Sequence, residues 1–273
     1  MNTPSVKYDQ IAPTYDRRFD PQQRQPILST LVDLVNQIQA QTILEVGCGT
    51  GFWLTGLEDA FAGRRTLTCY GLDFSAGMLR RAHTRKPTLQ LVHGQAEALP
   101  FSGESFDLIY CVHALHHFHR QQEFVSTCLN RLKPGGVLAV IGSDPHNTAA
   151  SGRRGEWYVF QYFEGVLQTD LARFPSWGQV LDWMAWAGYE QITWNPVETI
   201  HDFWQGAEVF KDPFLKKEAT SQLILTTDAA YQAGLERLRD AVAAAQMAGT
   251  EIEFHSLIQI DMLTGVKPPV RGR

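Results

Sequence analysis

Positive charge is nowhere in surplus in this chain. Lys and Arg number 24 against 29 Asp and Glu, a formal net charge of −5, and no basic tail or stripe interrupts that balance. A partner held mainly through its phosphates, such as bulk nucleic acid, is therefore not expected. Long apolar runs are missing too. No stretch approaches the ~18 consecutive residues of a membrane span, and the polar start Met1-Asn2-Thr3-Pro4 lacks the apolar segment of a secretory signal. Cysteine is scarce: Cys48, Cys69, Cys111 and Cys128 form no CxxC pair and sit mostly on apolar segments. Free buried thiols in a reducing compartment are expected, in place of disulfides or a zinc site. Repeats and low-complexity tracts are also absent. What these absences leave is a soluble, cytoplasmic protein, and 44% hydrophobic residues over 273 give it a sizeable core.

What the sequence does have is concentrated first at Ile43-Leu44-Glu45-Val46-Gly47-Cys48-Gly49-Thr50-Gly51. Apolar, β-favouring residues lead into three alternating glycines, with an acid two residues before the first. Phe52-Trp53-Leu54-Thr55-Gly56-Leu57 follows, apolar at helical spacing. Strand, tight glycine turn and helix are how a nucleotide-binding α/β domain begins. Glycine lets the backbone turn sharply and lets a ligand lie against it.

Upstream, Tyr8-Asp9 and Tyr15-Asp16 flank Ile11-Ala12-Pro13 in a segment too short and interrupted for a core element. Asp20-Pro21 suits a helix start, and Ile27, Leu28, Leu31, Leu34, Val35 and Ile38 share one helical face. Downstream, strands are expected at 67–72, 89–92, 106–111 and 137–141. Ser75 caps the helix after the first of these, and Lys133-Pro134-Gly135-Gly136 is an abrupt stop after a helix through Phe124 and Leu132. Strands alternating with helices from 42 to 143 mean a doubly wound, parallel sheet. Beyond that the texture changes, with six of the seven tryptophans past residue 156. A helix through Val180 and Met184, a strand at 189–194 and an alternating strand at 252–265 enclose nearly sixty residues that a hairpin would not need. Those residues are an insertion with its own structure, and its helix bearing Leu235, Leu238 and Val242 is packing surface.

The turn has the pattern acid-x-Gly-x-Gly-x-Gly in place of GxGxxG, which shifts weight from dinucleotides to S-adenosyl-L-methionine. That molecule carries an amino acid, a ribose, an adenine and a sulfonium, and no pyrophosphate. Glu45 and the turn carbonyls suit its ammonium, and Asp73 at the end of the second strand is placed to accept the ribose hydroxyls. With Gly94–Phe101, Ser105–Phe118 and Leu132–Gly136 added, the chain resembles the class I S-adenosylmethionine-dependent methyltransferases. Its nearest look is the ubiquinone/menaquinone-methyltransferase-like (type 11) small-molecule branch. The resemblance covers roughly residues 8–143. It implies a Rossmann-like, doubly wound seven-stranded α/β sheet, mostly parallel with one antiparallel strand, and a helical cap inserted between the last two strands. It divides the chain into an N-terminal cap segment and helix (1–41), a cofactor-binding core (42–143), and an aromatic-rich cap with the last two strands (144–273). It implies that Gly47, Gly49 and Gly51 pack against the methionine moiety and that Phe74 and Met78 flank adenine. Gln95 and Ala96 read the adenine edge, and Cys111, Val112 and His113 line the site below the sulfonium. Where the family usually has Gly-Asp-Ala this chain has Gly94-Gln95-Ala96, so an uncharged carbonyl replaces a carboxylate.

Residues 111–119 hold four histidines in seven positions, His113, His116, His117 and His119. No second ligand-rich segment accompanies them, so a metal is not expected. His113, His116 or His117 is the general base if the nucleophile arrives protonated, against a packed or hydrogen-bonded role for each. Tyr8 and Tyr15 either close over the cofactor, where ring faces attract a sulfonium, or anchor the N-terminal segment. Glu97 is a local cap or turn residue. The tryptophan-rich half is either an apolar substrate cap or the core of the insertion. The function expected is in-line methyl transfer to a small, apolar or aromatic molecule. An NAD-dependent oxidoreductase and a non-catalytic S-adenosylmethionine-fold binding protein are the alternatives.

Overall fold

The computed structural model describes residues 6–13, 15–18, 25–150 and 157–269; the helix start expected at Asp20-Pro21 lies outside them. The chain divides into two compact units.

The larger unit comprises Lys7–Gly142, Trp177–Glu198 and Asp261–Arg273. In chain order it begins with α1 (Tyr8–Ile11), a 3-10 turn (Tyr15–Arg18) and α2 (Gln25–Gln37). Next come β1 (Thr42–Val46), α3 (Phe52–Phe61), β2 (Thr68–Asp73), α4 (Ala76–Arg85) and β3 (Gln90–His93). Then follow β4 (Phe106–Val112), a 3-10 turn (Leu115–His117), α5 (Gln121–Arg131) and β5 (Leu132–Gly142). The smaller unit takes up the chain with α6 (Pro145–Ala150), α7 (Tyr158–Tyr162) and α8 (Val166–Arg173), after which α9 (Trp177–Ala187) belongs to the larger one. β6 (Glu190–Gln205) passes from the larger unit into the smaller. There the chain forms 3-10 turns at Gly206–Lys211 and Pro213–Leu215, α10 (Ser221–Ile224) and α11 (Asp228–Ala248), and β7 (Glu253–Val266) returns.

The sheet has seven strands in the order β3-β2-β1-β4-β5-β7-β6. The pairs from β3 through β5 are parallel, and β7 runs antiparallel to β5 with Gly142 opposite Asp261. The central strands are apolar almost throughout because helices cover both faces. Ile43, Leu44, Leu108, Ile109, Leu138 and Ala139 are wholly buried. α2 buries Ile27, Leu31, Leu34 and Val35, the stripe that the spacing predicts. Ser75 caps α4 by accepting from the Met78 N–H, also as expected.

Two boundaries differ from the sequence reading. Lys133–Gly136 does not stop the chain between elements: β5 starts at Leu132, directly after α5. Its first residues pair out of step, with a register shift opposite 106/108. Gly135 adopts φ +80°, and a Cβ on Gly136 would fall 2.9–3.0 Å from the Lys133 and Phe106 carbonyl oxygens. The glycines therefore make a bulge within the strand, where the sequence suggested a loop. The strand expected at 189–194 continues to Gln205 through Pro196. β6 is an edge strand, where a proline removes no ladder bond that the sheet needs.

The smaller unit has its own core, built from Trp157, Tyr158, Val159, Phe163, Leu223, Leu238, Val242 and Phe254. Gly234 of α11 is there because a Cβ would lie 2.3 Å from the Phe163 ring. The unit also includes Ser143–Ser176, which precede β6, besides the residues inserted between β6 and β7. Two clusters of buried polar side chains inside it are bonded to one another. Tyr158 donates to Asp212 at 2.7 Å, and Arg173 bridges Asp170 at 2.8 Å and Ser221 at 3.2 Å. Burial pushes the Asp170 carboxyl up to about 6 against the pull of Arg173.

Candidate active site

The site begins with the turn between β1 and α3. All three glycines have positive φ: +73° at Gly47, +53° at Gly49 and +70° at Gly51. The Gly47 and Cys48 N–H groups both donate to the Leu72 carbonyl at the end of β2, at 2.7 and 3.1 Å. Each glycine meets a different environment. A Cβ on Gly47 would lie 2.6 Å from that of Ala114 and 3.5 Å from the Phe118 ring, so the histidine segment packs directly on the turn. A Cβ on Gly51 would press on Ala82 and Leu89 at 3.1–3.2 Å. Around Gly49 no heavy atom lies within 4 Å of that position. That open space over a left-handed backbone is where a ligand can lie against the chain.

Asp73 anchors this turn to the next. Its Oδ2 accepts from the Gly49 N–H and its Oδ1 from the Ser75 N–H, both at 2.8 Å. Burial raises its pKa, opposed by those two bonds. Each carboxylate oxygen retains a lone pair, so these bonds leave Asp73 able to accept from further hydroxyls.

Glu45 was assigned from sequence to an ammonium group. The structure places its carboxyl in the interior, 1% exposed, accepting from the Tyr110 hydroxyl at 3.1 Å, with the Leu54 N–H near enough to favour its charged form. Leu54 is in the first turn of α3, whose N–H groups have no partner within the helix. The acid of β1 thus reaches under the glycine turn toward the start of α3. Burial raises its pKa well above the ordinary value, more than Tyr110 and the Leu54 N–H lower it.

Other expected residues gather around the same sheet edge. Phe74 is 67% exposed directly after Asp73, while Met78 is buried beneath the start of α4. Gln95 is exposed and Ala96 buried in the loop after β3. Cys111 and Val112 are buried at the end of β4. Glu97 is a capping residue: its carboxylate accepts the Arg120 N–H at 3.0 Å, where α5 begins. The histidines separate. His113 is exposed at φ +50°, an uncommon conformation for a non-glycine residue, and its N–H extends the β4–β5 ladder to Ile141 at 2.8 Å. His116 and His117 lie on the 3-10 turn with ring centroids 3.9 Å apart. His117 Nε2 is 2.6 Å from the Tyr8 hydroxyl, and Tyr15 meets the Tyr8 ring edge-on at 6.0 Å. No group of three His, Cys, Asp or Glu side chains among the described residues is arranged to hold a metal ion.

Three features were not found from the sequence. Asp9 accepts from the Gly77 N–H at 2.6 Å and the Ser75 hydroxyl at 2.9 Å, bonds that hold its carboxyl below the usual range. Asp16 accepts from the Thr50 hydroxyl at 2.7 Å and pairs with Arg85 at 2.6 Å. The repeated Tyr-Asp pair was the available signal: each aspartate pins the N-terminal segment to a different βα turn. Third, the Trp177 indole donates to Asp261 at 2.9 Å, and its ring closes on Gly142 within 3.6 Å of the absent Cβ, beside His113 Nδ1 at 3.8 Å.

The strand order with a reversed β7 beside β5, and ligand-facing turns at the carboxyl ends of β1, β2 and β4, is the fold of the class I S-adenosylmethionine-dependent methyltransferases. The family model described as "Methyltransferase domain" matches residues 44–140. The demethylmenaquinone methyltransferase of Renibacterium salmoninarum is 33% identical over 139 residues, 50% of this chain and 56% of that protein. The protein of the same name from Oceanobacillus iheyensis is 29% identical over 187 residues, 66% of this chain and 70% of its own. The match to the first relative spans about half of that protein's length. Among solved structures, a putative methyltransferase from an antibiotic biosynthesis pathway of Anabaena variabilis superposes with a TM-score of 0.64. It is 19% identical and covers 91% of this chain and 99% of its own. Methyltransferases of this class use S-adenosylmethionine. The open space over Gly49 and the anchored carboxylate of Asp73 fit that molecule.

Proposed function

We propose that this protein transfers the methyl group of S-adenosylmethionine to a small molecule that is apolar or aromatic. The observation carrying this reading is the Asp73 carboxylate, which locks the open left-handed turn at Gly49 to the start of α4. Gly47, Gly49 and Gly51 accept the methionine end and Asp73 the ribose hydroxyls. Phe74, standing exposed, and Met78 flank the adenine, and Gln95 and Ala96 meet its edge. Cys111 and Val112 form the floor beside the reacting centre, and Tyr8 and Tyr15 stand on the segment pinned over both turns. Glu45 supports the turn from beneath.

The donor supplies a methyl group on a sulfonium, whose departing electron pair stays on sulfur. The protein's contribution is alignment and exclusion of water from that centre. A substrate of the quinol or phenol kind is supported by the relatives named for demethylmenaquinone. Four buried, free cysteines support a reducing compartment, the cytoplasm. No helix among the described residues is long and apolar enough to cross a membrane.

The test is transfer of label from methyl-tritiated S-adenosylmethionine to 1,4-naphthohydroquinones and substituted phenols, followed by solvent extraction. Labelled product that disappears with Asp73→Ala supports the reading. Tight binding of the donor without label in any acceptor favours a binding protein of the same fold.

A further inference from the structure

We propose that Tyr8 and His117 form a proton relay, with the Tyr8 hydroxyl meeting the substrate and His117 receiving the proton. The inference rests on the methyl-transfer reading and assigns that reaction an acceptor that arrives protonated, a hydroxyl or a protonated amine.

The pair is joined from sequence positions 109 apart, through a 2.6 Å contact between the Tyr8 oxygen and His117 Nε2. Its geometry is held on both sides. The His117 ring lies edge-on to Tyr8 at 5.0 Å and against His116 at 3.9 Å. The 3-10 turn carrying His117 is fixed because Ala114 and Phe118, on either side of it, pack on Gly47. Tyr8 is fixed because the next residue, Asp9, is bonded to Ser75 and Gly77 at the start of α4. The relay thus borders the glycine turn on one side and the end of β2 on the other, the two places assigned to the donor.

The direction of the bond is set by the imidazole tautomer, and the relay requires the one with its proton on Nδ1. A phenol titrates near 10 and an imidazole near 6.5, so between those values the phenol holds its proton and the imidazole lacks its second one. In that tautomer Tyr8 donates and Nε2 accepts. A phenol oxygen that donates one hydrogen bond keeps lone pairs with which to accept another. An acceptor X–H therefore donates to the Tyr8 oxygen. In the transfer the X–H bond breaks and its electron pair forms the new bond to the methyl carbon. The proton of X passes to the Tyr8 oxygen as the Tyr8 proton passes to His117 Nε2, and the C–S pair remains on the departing thioether. One positive charge leaves sulfur and one appears on the imidazolium, so charge balances. Loss of that proton to solvent restores the pair. Of the three histidines expected as candidate bases, this assigns the role to His117. Tyr8, expected either to close over the cofactor or to anchor the N-terminal segment, becomes the group that touches the substrate.

The first test needs no turnover. Imidazole 15N NMR of the whole protein with S-adenosylhomocysteine added, assigned with His117→Gln, reports which nitrogen carries the proton. At pH 8 the relay predicts a bare Nε2 whose resonance moves when Tyr8→Phe removes the hydroxyl. A proton on Nε2, or a resonance that Tyr8→Phe leaves in place, overturns it. The second test compares acceptors. Tyr8→Phe and His117→Gln lower kcat by about 100-fold or more for phenols protonated at the assay pH. They change it less than threefold for phenols already ionised, and the double variant is no slower than the slower single. Equal losses with both kinds of phenol mark a structural role and contradict the relay. Failure of the wild-type protein to bind S-adenosylhomocysteine counts against the methyltransferase reading instead, and leaves the NMR result to decide whether the pair exists.

Discussion

Gly47 and Gly49 share a backbone conformation and differ in everything around it. At Gly47 an added methyl group would sit 2.6 Å from another Cβ, so the turn or the histidine segment must move. At Gly49 nothing lies within 4 Å. Gly47→Ala should therefore destabilise the fold by about 1–3 kcal/mol through overpacking and left-handed strain. Gly49→Ala bears only the strain, about 1 kcal/mol, and puts its methyl group into the space assigned to the donor. Paired thermal unfolding and calorimetry check this. Gly47→Ala should lower the melting temperature clearly more than Gly49→Ala does. Gly49→Ala should weaken S-adenosylhomocysteine binding tenfold or more. The need for glycine at each position was legible in the sequence from the alternating pattern. Which neighbour excludes a side chain was not, because Ala114 and Ala82 approach from far along the chain. The same holds for Asp9 and Asp16, whose partners are 34 to 69 residues away.

At the scale of elements, β1 and α3 are joined by Glu45 as well as by the turn. An acid whose folded pKa is raised binds its proton more tightly folded than unfolded. The stability it contributes is whole below its ordinary value of 4.5 and is lost as pH rises through the raised folded value. Glu45→Gln keeps an acceptor in place and cannot titrate. Denaturant titrations from pH 4 upward should show wild-type stability declining relative to Glu45→Gln; parallel curves would remove the buried carboxyl from the account. The strands and helices of the sheet unit were legible because burial on both faces leaves continuous apolar runs. The boundaries that moved are those where a breaker has a tolerated place. Pro196 lies on an edge strand, and Gly135 and Gly136 form a bulge. The N-terminal segment offered too little apolar pattern to be called an element. It is held by side chains bonded to backbone N–H groups and hydroxyls, which leave no periodicity.

For the molecule as a whole, the sheet unit accounts for the choice of donor, and residues 44–140 match the methyltransferase domain model. The aromatic second half proves less uniform than its composition suggested. Trp157 belongs to the core of the smaller unit, Trp177 is buried in the sheet unit on Asp261, and Trp186 and Trp194 are exposed. The central claim is that the turn at Gly49 and the carboxylate of Asp73 hold S-adenosylmethionine. Isothermal titration calorimetry with S-adenosylhomocysteine and, separately, with NADH tests it most directly. The account predicts saturable binding of the sulfur nucleoside by the wild-type protein, none by Asp73→Ala combined with Gly49→Val, and none of NADH by either. Tight binding of NADH, with S-adenosylhomocysteine and S-adenosylmethionine both ignored, would contradict it.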